Sequence, residues 1–405
     1  MSKETQVLLN EWAGVLDDTT CGEIKDSHRR AVTAQLLENQ KNDNQKQLNE
    51  AAQTGVANIA NYDPVLISMV RRAAPKLIAY DICGVQAMQL PTGLVFAMKA
   101  RYTNKTGDEA LFNKVNTAFS GSGDHSDTAN PFLASSYPGA VKTGTGSVTA
   151  TAEDSRWPQM SATVESVQVV AKTRHLRSDY TQEVAQDWQN VHGMNAETEL
   201  ANILASEIIL EQNQEVVRTI YQAAEVGAQF GTTAGTIDLL ADTDGRWSAE
   251  RFKGLLFAIE RDANAIAYAT RRGKGNILIT SSNVASALQI AGLLDYAPAI
   301  QAMSQNLEVD VTGTTYAGNM GRFRVFIDPF LSHDGYVVGY KGNSAIDAGL
   351  FYCPYVALQL TRATDSETLN PIIGFKTRYG MVANPFTSLE ASKNIYYRKV
   401  AVTGF

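Results

Sequence analysis

Apolar residues recur along this chain with two different periods, and the changes of period divide it. Near the N-terminus Val7, Leu8, Trp12 and Val15 fall on a helical spacing, and Ala31, Ala34, Gln35 and Glu38 continue a second helical stretch. The run at 39–47 (NQKNDNQKQ) has almost no apolar side chain. It cannot bury enough surface to offset its ordering entropy, so a linker is expected there. Val65, Leu66, Met69, Val70 and Ala73 then form one helical stripe beside Arg71 and Arg72, until Pro75 ends or kinks the helix. Residues 93–102 switch to period two. Leu94, Phe96, Met98, Ala100 and Tyr102 share one face, and Val95, Ala97, Lys99 and Arg101 the other. The spacing predicts a strand with one apolar face and one mixed, partly basic face.

Residues 103–155 are rich in Gly, Ser, Thr, Asn and Asp, and strand-like alternation resumes over 162–177. Two strands joined by a long polar excursion make an extended hairpin. Such a ribbon is marginal by itself in water, so it needs another surface to lie on. Residues 196–222 read as one long helix with Leu200, Ile203, Leu204, Ile208, Val217 and Ile220 as its apolar stripe, Asn195 as its cap and Gly227 soon after its end. A second helix is expected over 247–271, with Phe252, Leu255, Leu256 and Ile259 on one face. A buried strand is expected after the GKGN turn near 273–280, a helix over 284–294, and short strands over 322–328, 336–340 and 352–360.

The chain has 405 residues, 44% of them hydrophobic and 19% charged, which is a globular balance of two or three packing units. Its net charge of −7 does not suit nucleic-acid binding by bulk charge, since phosphate contacts run on Lys and Arg. It does suit a surface facing packed DNA without adhering to it. Cys21, Cys83 and Cys353 are too scattered for a zinc knuckle or a disulfide framework and are expected as reduced thiols. There is no apolar run long enough to span a membrane and no secretory signal at the N-terminus.

Catalytic motifs are missing. The five histidines lack HExxH spacing, residues 119–123 (FSGSG) lack the first glycine of a nucleophile elbow, and 272–275 (RGKG) is a turn rather than a phosphate cradle. Glu207, Glu211 and Glu215 recur every four residues on the long helix, but no Glu-x-x-His partner accompanies them. They are expected on a solvated or inter-subunit face, with Arg71, Arg72, Lys376 and Arg378 as available basic mates. No catalytic residue, metal ligand or cofactor is expected, and a hydrolase with a long surface loop is disfavoured.

Four long blocks resemble the major capsid protein of T-even-like contractile-tailed bacteriophages. They are 69–102 (MVRRAAPKLIAYDICGVQAMQLPTGLVFAMKARY), 185–217 (AQDWQNVHGMNAETELANILASEIILEQNQEVV), 338–358 (VGYKGNSAIDAGLFYCPYVAL) and 374–386 (GFKTRYGMVANPF), in register through nearly the whole chain. The resemblance implies an α+β tailed-phage capsid fold. Its expected layout is an N-terminal propeptide or scaffold-associated segment (1–50), an N-terminal arm (51–90), an E-loop hairpin lying on a neighbouring subunit (91–162), a peripheral domain with a spine helix (163–240), an axial domain (241–344) and a return to the peripheral domain (345–405). Residues 103–155 are shorter than the matching region of T-even head proteins. The inserted domain those proteins carry there is therefore expected to be absent, with bracing from elsewhere, such as a cementing or decoration protein.

The resemblance further implies a DNA-containing head, icosahedral or prolate, built from hexamers and pentamers of this chain or a paralogue. It implies an internal scaffold and a maturation protease in the precursor, with assembly in the host bacterial cytoplasm. That protease favours Leu or Ile two residues before Glu. Leu48 with Glu50 followed by Ala51 fits, and so do Leu36 with Glu38 and Leu9 with Glu11. Arg71, Arg72, Lys99, Arg101, Arg271, Arg272, Lys376, Arg378 and Tyr379 are the candidate inter-subunit contacts, since Arg and Tyr are enriched at binding hot spots. For Arg378 and Tyr379, packing within the chain's own sheet is an equal expectation. An encapsulin-like compartment shell shares the implied fold, but the polar N-terminal segment and the block matches count against it.

Overall fold

The computed structural model describes residues 3–17, 24, 26–52, 77–111, 115–125, 142–154, 156–193, 195–243, 245, 247–292, 295–296, 315–342, 347–365, 367–368 and 370–405. Two compact units emerge. One comprises Met1–Val95, Val167–Tyr268 and Gly273–Phe405, and the other Phe96–Ser166 with Ala269–Arg272.

Eight helices are used below. They are α1 (Lys3–Glu11), α2 (Ala13–Leu16), α3 (Ser27–Ala52), α4 (Ala79–Ile82), α5 (Thr149–Asp154), α6 (Gln182–His192), α7 (Ala196–Ala223) and α8 (Ser248–Thr270). The first strands are β1 (Gly84–Val85), β2 (Thr92–Tyr102), β3 (Met160–Val170), β4 (Lys172–Asp179), β5 (Ala224–Val226) and β6 (Thr236–Asp238). The rest are β7 (Ile277–Ser281), β8 (Asp295–Tyr296), β9 (Thr315–Met320), β10 (Phe323–Asp328), β11 (Gly335–Gly339), β12 (Leu350–Thr364), β13 (Pro371–Ala383) and β14 (Asn394–Thr403).

The larger unit holds two sheets. One has the order β1-β12-β13-β4; the other runs β5-β14-β11-β7-β10-β9-β8, with β6 also pairing β14. Every residue of β7 and β11 is buried, as suits central strands, with Ile277–Ile279 and Tyr336–Val338 as their apolar parts. Helix α8 supplies Leu255, Ile259, Ala263 and Ile266 to the same core. Its buried Asp262 accepts hydrogen bonds from the Ala228 amide (3.0 Å) and the Tyr336 hydroxyl (2.9 Å), so the carboxylate is satisfied where water is excluded. Burial pushes its carboxyl above the usual carboxylate range.

Helix α7 lies against the four-stranded sheet, where Ala201, Leu204 and Ile208 meet Leu358, Ile373 and Phe375. Asn195 caps it, its side chain accepting from the Glu197 amide at 3.0 Å. One member of the expected stripe is misplaced: Ile203 is 57% exposed. It stands one position before Leu204, and a helix of 3.6 residues per turn carries the two to different sides. The expected strand over 162–177 is two strands, β3 and β4, parted at Ala171. The turn brings the chain so close to β13 that a Cβ at Gly380 would stand 2.5 Å from a Val169 methyl.

The expected linker is wrong. Residues 39–47 continue α3, which runs unbroken from Ser27 to Ala52. No Gly or Pro interrupts that span, and Gln, Lys and Glu are good helix formers. Its first half is anchored by packing. Val32 and Leu36 enter the main core, and Ala34 and Leu37 form a satellite cluster with Trp12 and Leu16. Asn39 Nδ2 donates to the Met88 and Tyr355 carbonyls, both at 2.8 Å. Counting apolar residues missed these amide side chains, which stabilise by hydrogen bonding rather than by transfer. The helix expected around Val65–Ala73, with Arg71 and Arg72, lies outside the described residues, as does Cys21.

Candidate assembly interface

Strands β2 and β3 form a separate two-stranded ribbon. The period of two in β2 holds, but the face it covers is the mixed one. Val95 and Ala97 are buried, whereas Leu94, Phe96 and Met98 are exposed, Phe96 by 57% and Met98 by 71%. On β3, Met160 and Val164 are also exposed. Among the described residues the apolar side of this ribbon is therefore exposed.

The basic residues of β2 are engaged across the ribbon. Lys99 Nζ lies 2.6 Å and Arg101 Nη2 2.9 Å from the two carboxylate oxygens of Glu165. The hydrogen bond from Lys99, the charges of both cations and the bond from Arg101 hold the Glu165 carboxyl below the usual carboxylate range, against slight burial. Arg101 also donates from Nη1 to the Gly107 carbonyl (2.9 Å). Beyond the strands the polar excursion keeps local order. The Tyr102 and Phe119 rings stand 4.5 Å apart, Ser122 pairs with Thr145, and α5 follows. Leu111, Val115, Val148 and Trp157 are exposed there.

The remaining candidates are spread over the chain. Glu50 and Ala51 lie in the last turn of α3, and Leu48 in the turn before. Arg271 and Arg272 follow α8, and Arg271 adopts a left-handed backbone (φ 54°). Nearby, Lys274 is ion-paired with Glu260, which Arg322 Nη2 also approaches at 3.4 Å. Lys376 is exposed on β13. The Arg378 guanidinium lies over the Tyr355 ring, 5.1 Å from its centroid.

Tyr379 is 5% exposed and faces α7, where its hydroxyl donates to Glu215. Arg174 completes that cluster, with Nη1 2.8 Å from Glu211 and Nη2 2.6 Å from Glu215. Burial first, then the bond to Glu215, push the Tyr379 hydroxyl well above its ordinary value. Among the described residues the partner of two of the three spaced glutamates is thus Arg174, and Arg71 and Arg72 lie outside those residues. Arg174 is half-buried on β4, between exposed Thr173 and His175.

Cys83 and Cys353 are buried free thiols, both pushed up to about 12 by burial. Among the described residues no cluster of three His, Cys, Asp or Glu is arranged to hold a metal, and no helix is long and apolar enough to cross a membrane.

The exposed apolar side chains of the ribbon suit contact with another protein surface, and comparison with known proteins gives the family. Residues 59–402 match the family described as Major capsid protein Gp23. This chain belongs to that family. The major capsid protein of Serratia phage KSP90 is 36% identical, over 98% of each chain. That of Enterobacteria phage T4 is 33% identical, again over 98% of each chain. The T4 alignment runs over 515 positions, more than the 405 residues present here, so that relative has positions without a counterpart in this chain. Among solved structures, a capsid chain of Myoviridae Phage XM1 aligns over 81% of this chain and 92% of its own at 10% identity, with a TM-score of 0.42, too slight a likeness to argue from. The α+β tailed-phage capsid fold, a structural rather than enzymatic role and a place in the virion capsid follow from the family.

Proposed function

We propose that this major capsid protein closes into hexamers and pentamers through head-to-tail contacts, with the β2–β3 ribbon of each copy lying on its neighbour. The observation that carries this reading is the outward apolar face of Leu94, Phe96, Met98, Met160 and Val164. In a lone chain those side chains stay in water; on an adjacent copy their burial contributes roughly 25 cal/mol per Å². A heterologous contact repeated around a ring closes without needing any single strong interface.

The proposed layout keeps the hairpin at 91–162 as the E-loop, α7 as the spine helix of the peripheral domain (163–240, returning over 345–405) and 241–344 as the axial domain. The precursor begins with a segment over 1–50 that associates with an internal scaffold, followed by an arm over 51–90. A maturation protease cuts between Glu50 and Ala51 in the host cytoplasm. Placing that bond in the final turn of a helix favours cutting, because terminal turns fray. Exposed Lys376 and the turn residues Arg271 and Arg272 are the basic contacts offered to neighbouring copies, and Arg71 and Arg72 are proposed for the same role from sequence alone. Lys99, Arg101 and Arg378 act by shaping the surfaces on which they lie, and buried Tyr379 acts by bracing β13 against α7. A decoration protein and packaged double-stranded DNA, bound without sequence preference, complete the head.

Deleting residues 103–155 tests the reading. Electron microscopy of the purified variant should show a folded protein that forms neither tubes nor closed particles, while the parent chain forms them. Normal particles from the deletion would refute it.

A further inference from the structure

We infer that the body of the chain carries a groove that binds residues 27–41 of α3 as a separable helix, so that cutting after Glu50 does not by itself release the N-terminal segment. The biological setting rests on the cleavage proposed above, but the groove stands on its own geometry.

Four side chains at positions 29, 32, 36 and 39 make one helical stripe, and all four contact residues outside α3. Leu36, 5% exposed, lines an apolar hollow together with Leu77, Tyr80, Ile208, Ile209, Tyr352 and Pro354. Val32 packs into the same core. Arg29 Nη2 lies 2.6 Å from Asp81 Oδ1, and its guanidinium sits over the Tyr80 ring at 5.4 Å. Asn39 donates to the Met88 and Tyr355 carbonyls. Beside the stripe, His28 Nε2 is 2.8 Å from the Val85 carbonyl oxygen.

All these contacts lie before residue 42. The bond between Glu50 and Ala51 is more than two helical turns beyond the last of them, so breaking it severs none. What the cut changes is connectivity: an intramolecular contact becomes a bimolecular one and loses its effective concentration. Cutting and release are then separate events. The groove specifies its ligand by an arginine, a valine, a leucine and an asparagine at helical spacing, which a second copy's N-terminal helix also presents.

The test uses the full chain with the recognition site of a sequence-specific protease inserted between Glu50 and Ala51. After digestion the two fragments should co-elute on size exclusion, and a fluorescent peptide of residues 24–50 added in excess should exchange into the nicked protein. Leu36→Asp should speed loss of the segment at least tenfold. Asn39→Asp, which places a carboxylate against two carbonyls, should do the same with less effect on packing, and it carries the comparison if Leu36→Asp fails to fold. Asn42→Asp, on an exposed position, should leave retention unchanged. A parent chain that sheds its segment on nicking, or Leu36 and Asn39 variants that hold it as firmly as the parent, would overturn the inference. Whether the natural protease cuts after Glu50 is read separately, from the intact mass of the chain in mature particles, so either idea can fail without the other.

Discussion

Arg101 and Glu165 face each other across the β2–β3 ribbon, with Nη2 2.9 Å from Oε1, and Lys99 binds the other oxygen of the same carboxylate. One carboxylate bridges two cations on the side of the ribbon that also carries Val95 and Ala97. The opposite side carries the exposed Leu94, Phe96 and Met98.

The Glu165 carboxyl is held below its ordinary value in the folded ribbon. A carboxylate depressed on folding contributes stability above the ordinary range, and that contribution is lost as pH falls through the depressed value. Glu165→Gln should remove the acid-side loss of ribbon order. Hydrogen exchange of the β2 and β3 amides at neutral and acidic pH measures it. The two proteins should differ at neutral pH and converge once Glu165 is protonated.

Replacing Phe96 and Met98 together by aspartate should leave the thermal midpoint of the unassembled chain nearly unchanged, within about 0.5 kcal/mol of stability, since both side chains are exposed. Particle yield should fall at least tenfold. Light scattering of the assembly reaction, with circular dichroism of the same sample, separates the two effects.

Arg174 ties β4 to α7 through Glu211, Glu215 and Tyr379. Arg174→Met should cost about 1–2 kcal/mol in denaturant unfolding, the low end of charge-assisted bonds because the cluster is partly exposed. Part of that loss is Glu215 and the Tyr379 hydroxyl left without their cation, so Arg174→Met with Glu215→Gln should cost less than the sum of the two single changes.

Lys341 donates to the Tyr80 carbonyl, and burial lowers its ammonium to about 8 against the ordinary 10.5, opposed by the charges of Cys83 and Asp81 and reinforced by Arg324 and Arg29. A lysine depressed on folding carries its full penalty below that value, so its contribution to stability rises with pH between about 8 and 10.5. The difference in stability between the parent and Lys341→Met should change across that window and be flat below it, as chemical denaturation at a series of pH values would show.

Cys83 and Cys353 are buried, and their thiols are pushed up to about 12. Since the thiolate is the reactive form, a thiol-directed label should reach neither in the native chain and both after unfolding. Peptide mapping of the labelled protein assigns the sites.

Much of the architecture is legible in residue spacing. Asn195 marks the start of α7, the apolar run at Ile277–Ser281 marks a central strand, and residues 93–102 announce a strand by alternation. Alternation defines two faces but not which one is covered, and a lone chain would be expected to cover Leu94, Phe96 and Met98. The inversion depends on Glu165, more than sixty positions away, and no local pattern signals that pairing. Arg174 escapes for the same reason, its partners lying on a helix and a strand distant in sequence. The helix through 39–47 escapes because Asn39 is held by two carbonyls contributed from Met88 and Tyr355. Polar composition alone does not distinguish an amide in water from one with fixed partners.

Strand β14 comes last in the chain yet sits inside its sheet, antiparallel to β11 on one side and parallel to β5 and β6 on the other. A polypeptide that stops short of residue 394 therefore leaves three strands with open edges and the buried rings of Tyr396 and Tyr397 missing from the core. Premature termination products cannot present a finished subunit. Removing β14 would part β11 from β5 and β6, so the strand reached latest in the sequence is the one that joins the two halves of this sheet.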